Sequence, residues 1–108
     1  FDPMLKASDR GRVIGITSTV AQSPRAYWGA YGASKAALEN LVLAYGAEVA
    51  NISAIRTAMV NPGATATKMR AKAYPGEDPA TLKSPQQVGE AIAALIADDF
   101  KTGARINL

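Results

Sequence analysis

The sequence predicts an α/β fold in which about three parallel strands are connected by crossover helices. Short runs rich in β-branched residues fall near 12–18, 53–60 and 104–108. Between them, apolar residues recur at helical spacing near 29–50 and 84–99. Strands that are separated by whole helices cannot form hairpins, so their pairing is expected to be parallel with right-handed crossovers.

The N-terminal segment, residues 1–9, looks like the end of a helix. We expect it to stop at Gly11, because glycine suits the left-handed turn that follows many helices. The next run, Arg12 to Ser18, is apolar without alternation, which predicts a strand buried on both faces. Residues 22–28 then form a loop.

A long helix is predicted from Gly29 or Ala30 to Ala50. Gly46 lies inside this helix, where glycine costs about 1 kcal/mol relative to alanine. A glycine retained at that cost indicates close approach of another backbone, either from the sheet or from a partner helix.

The second strand, residues 53–60, is ended by Asn61-Pro62-Gly63, which neither a helix nor a central strand tolerates. Residues 65–83 are polar and contain Pro75-Gly76, which predicts a short helix plus an irregular excursion.

The last helix has a clear start signal. Ser84 is a natural N-cap, Pro85 suits the first helical position, and Gln87 can complete a capping box. Gly103 then turns the chain into a last strand, 104–108.

Composition excludes several kinds of site. The absence of cysteine and histidine removes thiolate chemistry, the commonest general base and the commonest zinc ligands, so we expect no metal site. No run of eighteen apolar residues and no signal peptide is visible, which favours a cytoplasmic protein that binds no membrane. The net charge of +3 is small and dispersed, so nucleic acid is not an expected partner.

The chemistry-bearing residues converge on one edge of the predicted sheet. In such sheets, ligands bind beyond the carboxyl ends of the strands. Ser18 and Asn61-Pro62-Gly63 lie at two of those ends, while Tyr31 and Lys35 open the helix that connects the two strands.

Each signal has a plain structural alternative when it is taken alone. A Tyr-x-x-x-Lys pair occurs by chance on many helices, since positions four apart share a face. Ser18 taken alone is better explained as a cap or turn residue at the end of a strand. The combination, with Ser18 thirteen residues before Tyr31-Gly-Ala-Ser-Lys35, favours a catalytic site.

This combination, followed by Asn61-Pro62-Gly63 and Ala64-Thr65-Ala66-Thr67-Lys68-Met69, resembles the short-chain dehydrogenase/reductase family. The resemblance covers almost the whole chain and corresponds to the C-terminal portion of that family. It implies that residues 1–108 are a single fragment of a Rossmann-like, doubly wound parallel sheet. The N-terminal, glycine-rich cofactor-binding portion is then expected to be absent.

The resemblance also implies roles for particular residues. Three of the family's four catalytic residues correspond to Ser18, Tyr31 and Lys35, and the fourth, an asparagine, would precede Phe1. Contacts to the cofactor, NAD or NADP, are implied for Tyr31, Lys35, Pro62, Gly63, Thr65 and Thr67. Thr65 stands where the family more often has Ile or Val, and Arg105-Ile-Asn-Leu108 replaces its usual Asp-Gly-Gly.

The implied function is an oxidoreductase that transfers a hydride between NAD(P) and a carbonyl or secondary alcohol of a small molecule. The isolated fragment is expected to be inactive, and the parent to be a homodimer or homotetramer through the helix carrying Tyr31 and Lys35. A non-catalytic binding or assembly module with the same fold is the alternative.

The chemistry accounts for these residue types. Free tyrosine, with a pKa of about 10, is a weak base near neutrality. A lysine ammonium one helical turn away, together with the charge of an oxidised cofactor, favours the phenolate. Ser18 would hydrogen-bond the substrate oxygen. We further expect Tyr27-Trp28 to line or cover the pocket, whereas Lys68, Arg70 and Lys72 either guide an anionic substrate or form a solvated face.

Overall fold

The computed structural model describes residues 1–108, and the predicted alternation of strands and helices is confirmed. Short 3-10 turns cover Thr19–Ala21 and Pro79–Thr81. None of the helices has the combined length and apolarity that crossing a membrane requires. The main elements are α1 (Asp2–Ala7), β1 (Arg12–Ile16), α2 (Gly29–Val49), β2 (Arg56–Asn61), α3 (Lys68–Ala73), α4 (Pro85–Asp98) and β3 (Ala104–Asn107).

The three strands form one parallel sheet in the order β1-β2-β3. Arg12 is in register with Arg56, and Ala58 is in register with Ala104. Because β2 is paired on both sides, it forms the centre of the core, and its residues from 57 to 60 are all buried.

The first strand is shorter and more exposed than the sequence predicts. It ends at Ile16 rather than Ser18, its residues Val13 and Ile14 are only half-buried, and Ile16 is 39% exposed. The reason is topological, since β1 pairs with β2 alone and its outer edge has no strand neighbour within residues 1–108.

Helix α2 covers one face of the sheet through a contact that only glycine permits. A Cβ added at Gly46 would lie 2.1 Å from Oγ1 and 3.1 Å from Cβ of Thr57 in β2. The predicted close approach is therefore confirmed, and it is made by the sheet. Since side chains alternate along a strand, Ala58 and Val60 point to the opposite face, where both are fully buried. Helix α4 has one half-buried side, formed by Val88, Ala91, Ile92 and Leu95.

The prediction for Gly11 is wrong. Helix α1 ends at Ala7, its cap residue Ser8 is extended, and Gly11 does not adopt the left-handed conformation. Its role is steric, because an added Cβ would lie 2.9 Å from the Leu5 carbonyl oxygen and 3.1 Å from Ile55 Cγ1. A glycine after a helix can thus be required by packing rather than by a turn.

The start of α4 follows the sequence prediction closely. Ser84 Oγ accepts from the Gln87 backbone N–H at 3.1 Å, while Gln87 Oε1 accepts from the Ser84 N–H at 2.8 Å. This is the predicted capping box, with Pro85 at the first helical position.

The end of α4 is fixed by an ion-pair cluster around Asp99. The Arg12 guanidinium donates to both carboxylate oxygens at 2.8 Å, and Arg56 Nη1 donates to Oδ2 at 2.9 Å. The hydrogen bonds from Arg12, supported by the Phe100 N–H, lower the pKa of Asp99 from 3.8 to about 2. This cluster connects β1, β2 and α4.

Replacing Asp99 with asparagine should lower the stability of the protein near neutral pH and remove part of its acid sensitivity. The folded-state pKa lies below the unfolded one, so the carboxylate stabilises the fold above about pH 4. That contribution is lost as the pH falls from about 4 to about 2. Urea unfolding midpoints of Asp99→Asn and the native protein should therefore converge over that interval.

The exposed neighbour Asp98, which makes no ion pair, provides the control. Asp98→Asn should leave the acid dependence unchanged. If the urea midpoints of Asp99→Asn and the native protein differed by the same amount at every pH, the ion-pair explanation would be wrong.

Candidate active site

A pocket of about 610 Å³ opens at the carboxyl ends of β1 and β2. Its floor includes Ile16 and Asn61, the last residues of those strands. The structure thus brings together every residue to which the sequence analysis gave a catalytic or cofactor-binding role. Those residues all line this pocket, namely Ser18, Tyr31, Lys35, Pro62, Gly63, Thr65 and Thr67.

Ser18 lies where the chain leaves β1 and enters the 3-10 turn. Its backbone carbonyl accepts from Ala21 N at 3.0 Å, but its side chain makes no capping hydrogen bond. A serine present only as a cap would use its hydroxyl on the turn. Ser18 instead lines the pocket, and its hydroxyl has no hydrogen-bond partner in the chain, so it can bind a ligand oxygen.

Tyr31 and Lys35 lie one turn apart in the first part of α2. The Lys35 Nζ is 5.7 Å from the centroid of the Tyr31 ring and donates to the Ile16 carbonyl at 3.1 Å. The ammonium is therefore held between the tyrosine and the end of β1. The arrangement places a positive charge next to a phenol inside a pocket.

The Asn61-Pro62-Gly63 turn forms the side of the pocket across from α2. Asn61 Oδ1 accepts from Gly63 N at 3.0 Å, and Asn61 Nδ2 donates to Thr19 Oγ1 at 3.0 Å. Gly63 has φ +75°, a conformation that favours glycine. Lys83 Nζ donates to the Pro62 carbonyl at 3.2 Å and supports the turn from outside.

The two threonines of the site are each held by a local contact. Thr65 Oγ1 donates to the Gly63 carbonyl at 3.2 Å, and the residue bridges to Lys83. Thr67 is the N-cap of α3 and accepts from Arg70 N at 3.2 Å. Both hydroxyls therefore have fixed positions at the rim of the pocket.

An aromatic wall, formed by Trp28 and Tyr74, closes one side of the pocket. The two rings are nearly parallel, at 19° with 6.1 Å between centroids, and Trp28 contacts Tyr31 edge to face at 5.7 Å. The prediction that Trp28 lines the pocket is confirmed. The prediction for Tyr27 is wrong, because its side chain is fully exposed on a backbone with φ +69°.

Two arginines hold Tyr74 in this wall. Arg25 Nη1 donates to the Tyr74 hydroxyl at 2.7 Å, and the Arg70 guanidinium lies 3.9 Å from the centre of the Tyr74 ring. Arg70 also binds Glu77 through two hydrogen bonds of 2.8 Å. Of the three basic residues noted in this segment, only Arg70 lines the pocket.

The sequence analysis missed Arg25 and Tyr74 as pocket residues. Their available signal is weak, because they lie far apart in the chain and meet only through the fold. Trp28, by contrast, precedes Tyr31 by three residues, which places it on the same helix face.

The pocket is positively charged. Its ionisable cationic groups belong to Arg25, Lys35 and Arg70, and no aspartate or glutamate lines it. Of this set, Lys35, together with the hydroxyls of Thr65 and Thr67, suits a ligand that carries phosphate groups.

Behind Ser18, a smaller cavity of about 250 Å³ contains the buried acid Glu39 of α2. Glu39 accepts from Thr17 Oγ1 at 2.6 Å and from Arg105. Burial raises the pKa of Glu39, but the hydrogen bonds from Thr17 and Arg105 outweigh it and the net shift is downward. The ionised carboxylate ties the end of β1, next to Ser18, to α2.

Comparisons with known proteins identify the family of this chain. The sequence profile of the short chain dehydrogenases matches residues 1–78. The uncharacterized oxidoreductase YciK of Escherichia coli is 41% identical over 103 residues, which cover 94% of this chain and 40% of YciK. The vibriobactin-specific 2,3-dihydro-2,3-dihydroxybenzoate dehydrogenase of Vibrio cholerae is 38% identical over 104 residues, which are 95% of this chain and 36% of that enzyme.

Solved structures give the same result. The crystal structure of YciK superposes with a TM-score of 0.87 at 39% identity, covering 97% of this chain and 43% of that one. A structure described as a short chain dehydrogenase of Escherichia coli CFT073 in complex with NADPH has a TM-score of 0.87 at 37% identity. The match covers 97% of this chain and 44% of that chain. The chain thus spans less than half the length of these relatives.

Proposed function

The chain belongs to the short-chain dehydrogenase/reductase family, and from this we propose that the protein is an NAD(P)-dependent oxidoreductase. It transfers a hydride between the cofactor and a carbonyl or secondary alcohol of a small molecule. The observation that carries the proposal is the convergence of Ser18, Tyr31 and Lys35 on one pocket. The Vibrio cholerae relative is named for a substrate with two alcohol groups, which supports a secondary alcohol as the substrate class of this protein.

We propose that residues 1–108 are the C-terminal, catalytic portion of a single Rossmann-like domain. The chain spans about 40% of the length of YciK and 36% of the Vibrio cholerae relative. In this proposal, the glycine-rich cofactor loop and the fourth catalytic residue, an asparagine, come from sequence outside residues 1–108. The 108-residue chain by itself is then inactive.

In the proposed mechanism, Tyr31 is the general acid and base. Its hydroxyl gives a proton to the carbonyl oxygen in reduction and removes one from the alcohol in oxidation. The Ser18 hydroxyl, which has no partner in the chain, hydrogen-bonds the same oxygen and holds it while its charge changes.

Lys35 has two proposed roles. Its ammonium, 5.7 Å from the Tyr31 ring centroid, stabilises the negative charge that the tyrosine acquires when it acts as a base. The same ammonium can exchange its hydrogen bond to the Ile16 carbonyl for one to a ribose hydroxyl of the cofactor.

The cofactor fits the donor set of the pocket. The turn at Pro62 and Gly63 can contact the nicotinamide, and Thr65 and Thr67 can hydrogen-bond the neighbouring phosphate. The absence of acids from the lining favours a ligand with several negative charges. When bound, NAD(P) supplies or accepts the hydride.

The proposed assembly is a homodimer or homotetramer in the cytoplasm. Helix α2 supports this, because its outer surface carries mainly small residues together with Leu41, which is 69% exposed. A helix with such a surface can pack closely against its own copy.

Titration of NADH and NADPH into the full-length protein and into residues 1–108 tests the function and the division of the domain. We expect binding by the full-length protein alone. Lys35→Met should weaken that binding about 10- to 100-fold, because hydrogen bonds to charged groups contribute about 1.5–3 kcal/mol. Lys101→Met, which removes an exposed lysine outside the pocket, should leave it unchanged.

Other outcomes have distinct meanings. If neither protein binds either nucleotide, the non-catalytic binding or assembly module replaces the dehydrogenase. Tight binding by residues 1–108 would mean that the cofactor site lies largely within this chain.

A further inference from the structure

Arg25 is a pocket cation that the proposed mechanism does not use. Arg70 is neutralised by Glu77, and Lys35 is assigned to the tyrosine and the cofactor. The Arg25 side chain makes a single hydrogen bond, to the uncharged Tyr74 hydroxyl, and it is in none of the ion pairs of the chain. Its remaining N–H groups are therefore available to an anion.

The surroundings of Arg25 define what kind of anion fits. Its hydrogen bond to Tyr74 holds the guanidinium at the edge of the aromatic wall. Arg70 covers one face of the Tyr74 ring, so a ligand placed there meets the remaining aromatic surface of the wall, chiefly that of Trp28, beside the planar donor group of Arg25. This combination suits a carboxylate attached to a planar or cyclic body, since guanidinium and carboxylate pair through parallel hydrogen bonds.

The position of Arg25 relative to Tyr31 separates substrate from cofactor. Along α2, Trp28, Tyr31 and Lys35 follow one another on the same side of the helix. Trp28 contacts Tyr31 from the N-terminal side of the helix, and Trp28 in turn contacts Tyr74, which binds Arg25. Lys35 lies on the C-terminal side of Tyr31. In the proposed function, Lys35 lies on the side of Tyr31 where the cofactor binds. Arg25 lies on the opposite side of Tyr31, where we place the substrate.

We propose that the substrate carries a carboxylate that binds Arg25, with its planar or cyclic body against the aromatic wall and its carbonyl or alcohol carbon next to Tyr31. This inference rests on the proposed function and adds a substrate class to it. Arg25 is then a specificity-determining residue rather than a residue of the proton-transfer step.

Reduction of 4-carboxybenzaldehyde and of its uncharged counterpart, 4-formylbenzamide, tests the inference in the full-length protein with NADPH. We expect kcat/KM to be about tenfold or more higher for the acid. Arg25→Gln should remove that preference by lowering the value for the acid alone. Lys72→Gln removes one positive charge from the same region outside the pocket and should keep the preference.

Binding measurements test the proposed carboxylate site without requiring that any substrate be turned over. Calorimetry on the NADPH complex should detect benzoate in preference to benzamide, and Arg25→Gln should lose this difference while its affinity for NADPH stays unchanged. Equal kcat/KM values for the two aldehydes, or no benzoate preference, would overturn the inference and leave the oxidoreductase proposal standing. Weaker NADPH binding by Arg25→Gln would assign Arg25 to the cofactor and also overturn it. Benzoate binding without reduction of any aldehyde would support the anion site and count against the oxidoreductase.

Discussion

Tyr31→Phe is expected to lower kcat of the full-length protein by about 10³-fold while the Kd for NADPH changes little. The substitution removes only the hydroxyl that is proposed to exchange a proton with the substrate, and general acid-base catalysis typically contributes 10²- to 10⁴-fold. The ring remains, so its edge-to-face contact with Trp28 is retained. Steady-state kinetics with a reducible aldehyde, together with NADPH titration, measures both quantities.

Tyr27 supplies the matched control for this experiment. It is a tyrosine four residues earlier, in the loop before α2, and its side chain is fully exposed and does not line the pocket. Tyr27→Phe should leave kcat and Kd unchanged. If Tyr31→Phe keeps most of its activity, the proton must move through another group, and the proposed role of Tyr31 is wrong.

Gly46→Ala is expected to destabilise the protein by about 1–3 kcal/mol, although alanine is the better helix former. The added Cβ would lie 2.1 Å from Thr57 Oγ1, 3.0 Å from Thr57 Cγ2 and 3.1 Å from Thr57 Cβ. Rotating the threonine side chain exchanges its branches but leaves its Cβ in place. The helix therefore has to move away from β2, the central strand.

Gly89 in α4 is the corresponding control, since a Cβ built there meets nothing within 4 Å. Gly89→Ala should stabilise the protein by about 0.5–1 kcal/mol through helix propensity and reduced freedom of the unfolded chain. The urea unfolding midpoints of the two variants should thus shift in opposite directions relative to the native protein. A stabilised Gly46→Ala variant would mean that the contact between α2 and β2 is looser than described.

Much of the fold was predictable because its signals are local. The capping box of Ser84 and Gln87 and the turn at Asn61-Pro62-Gly63 each lie within a few consecutive residues. The spacing from Ser18 to Tyr31 likewise placed both residues at the pocket.

The features that were missed depend on contacts between distant segments. Arg25 and Tyr74 meet at the pocket, and Glu39 of α2 meets Arg105 of β3. Neither pair has a spacing rule that a sequence could display. The exposure of Ile16 is of the same kind, because the number of strands beside β1 is not encoded in its own residues.

The parallel topology also determines when the pocket can exist during folding. Register partners such as Arg12 and Arg56 flank the whole of α2, so no strand pair can form before a long loop has closed. Parallel pairing of this kind is slow compared with hairpin formation. Ser18 and the turn at Asn61-Pro62-Gly63 belong to different strand ends, and no local segment contains both. The site should therefore appear only late in folding, after the crossover through α2 is complete.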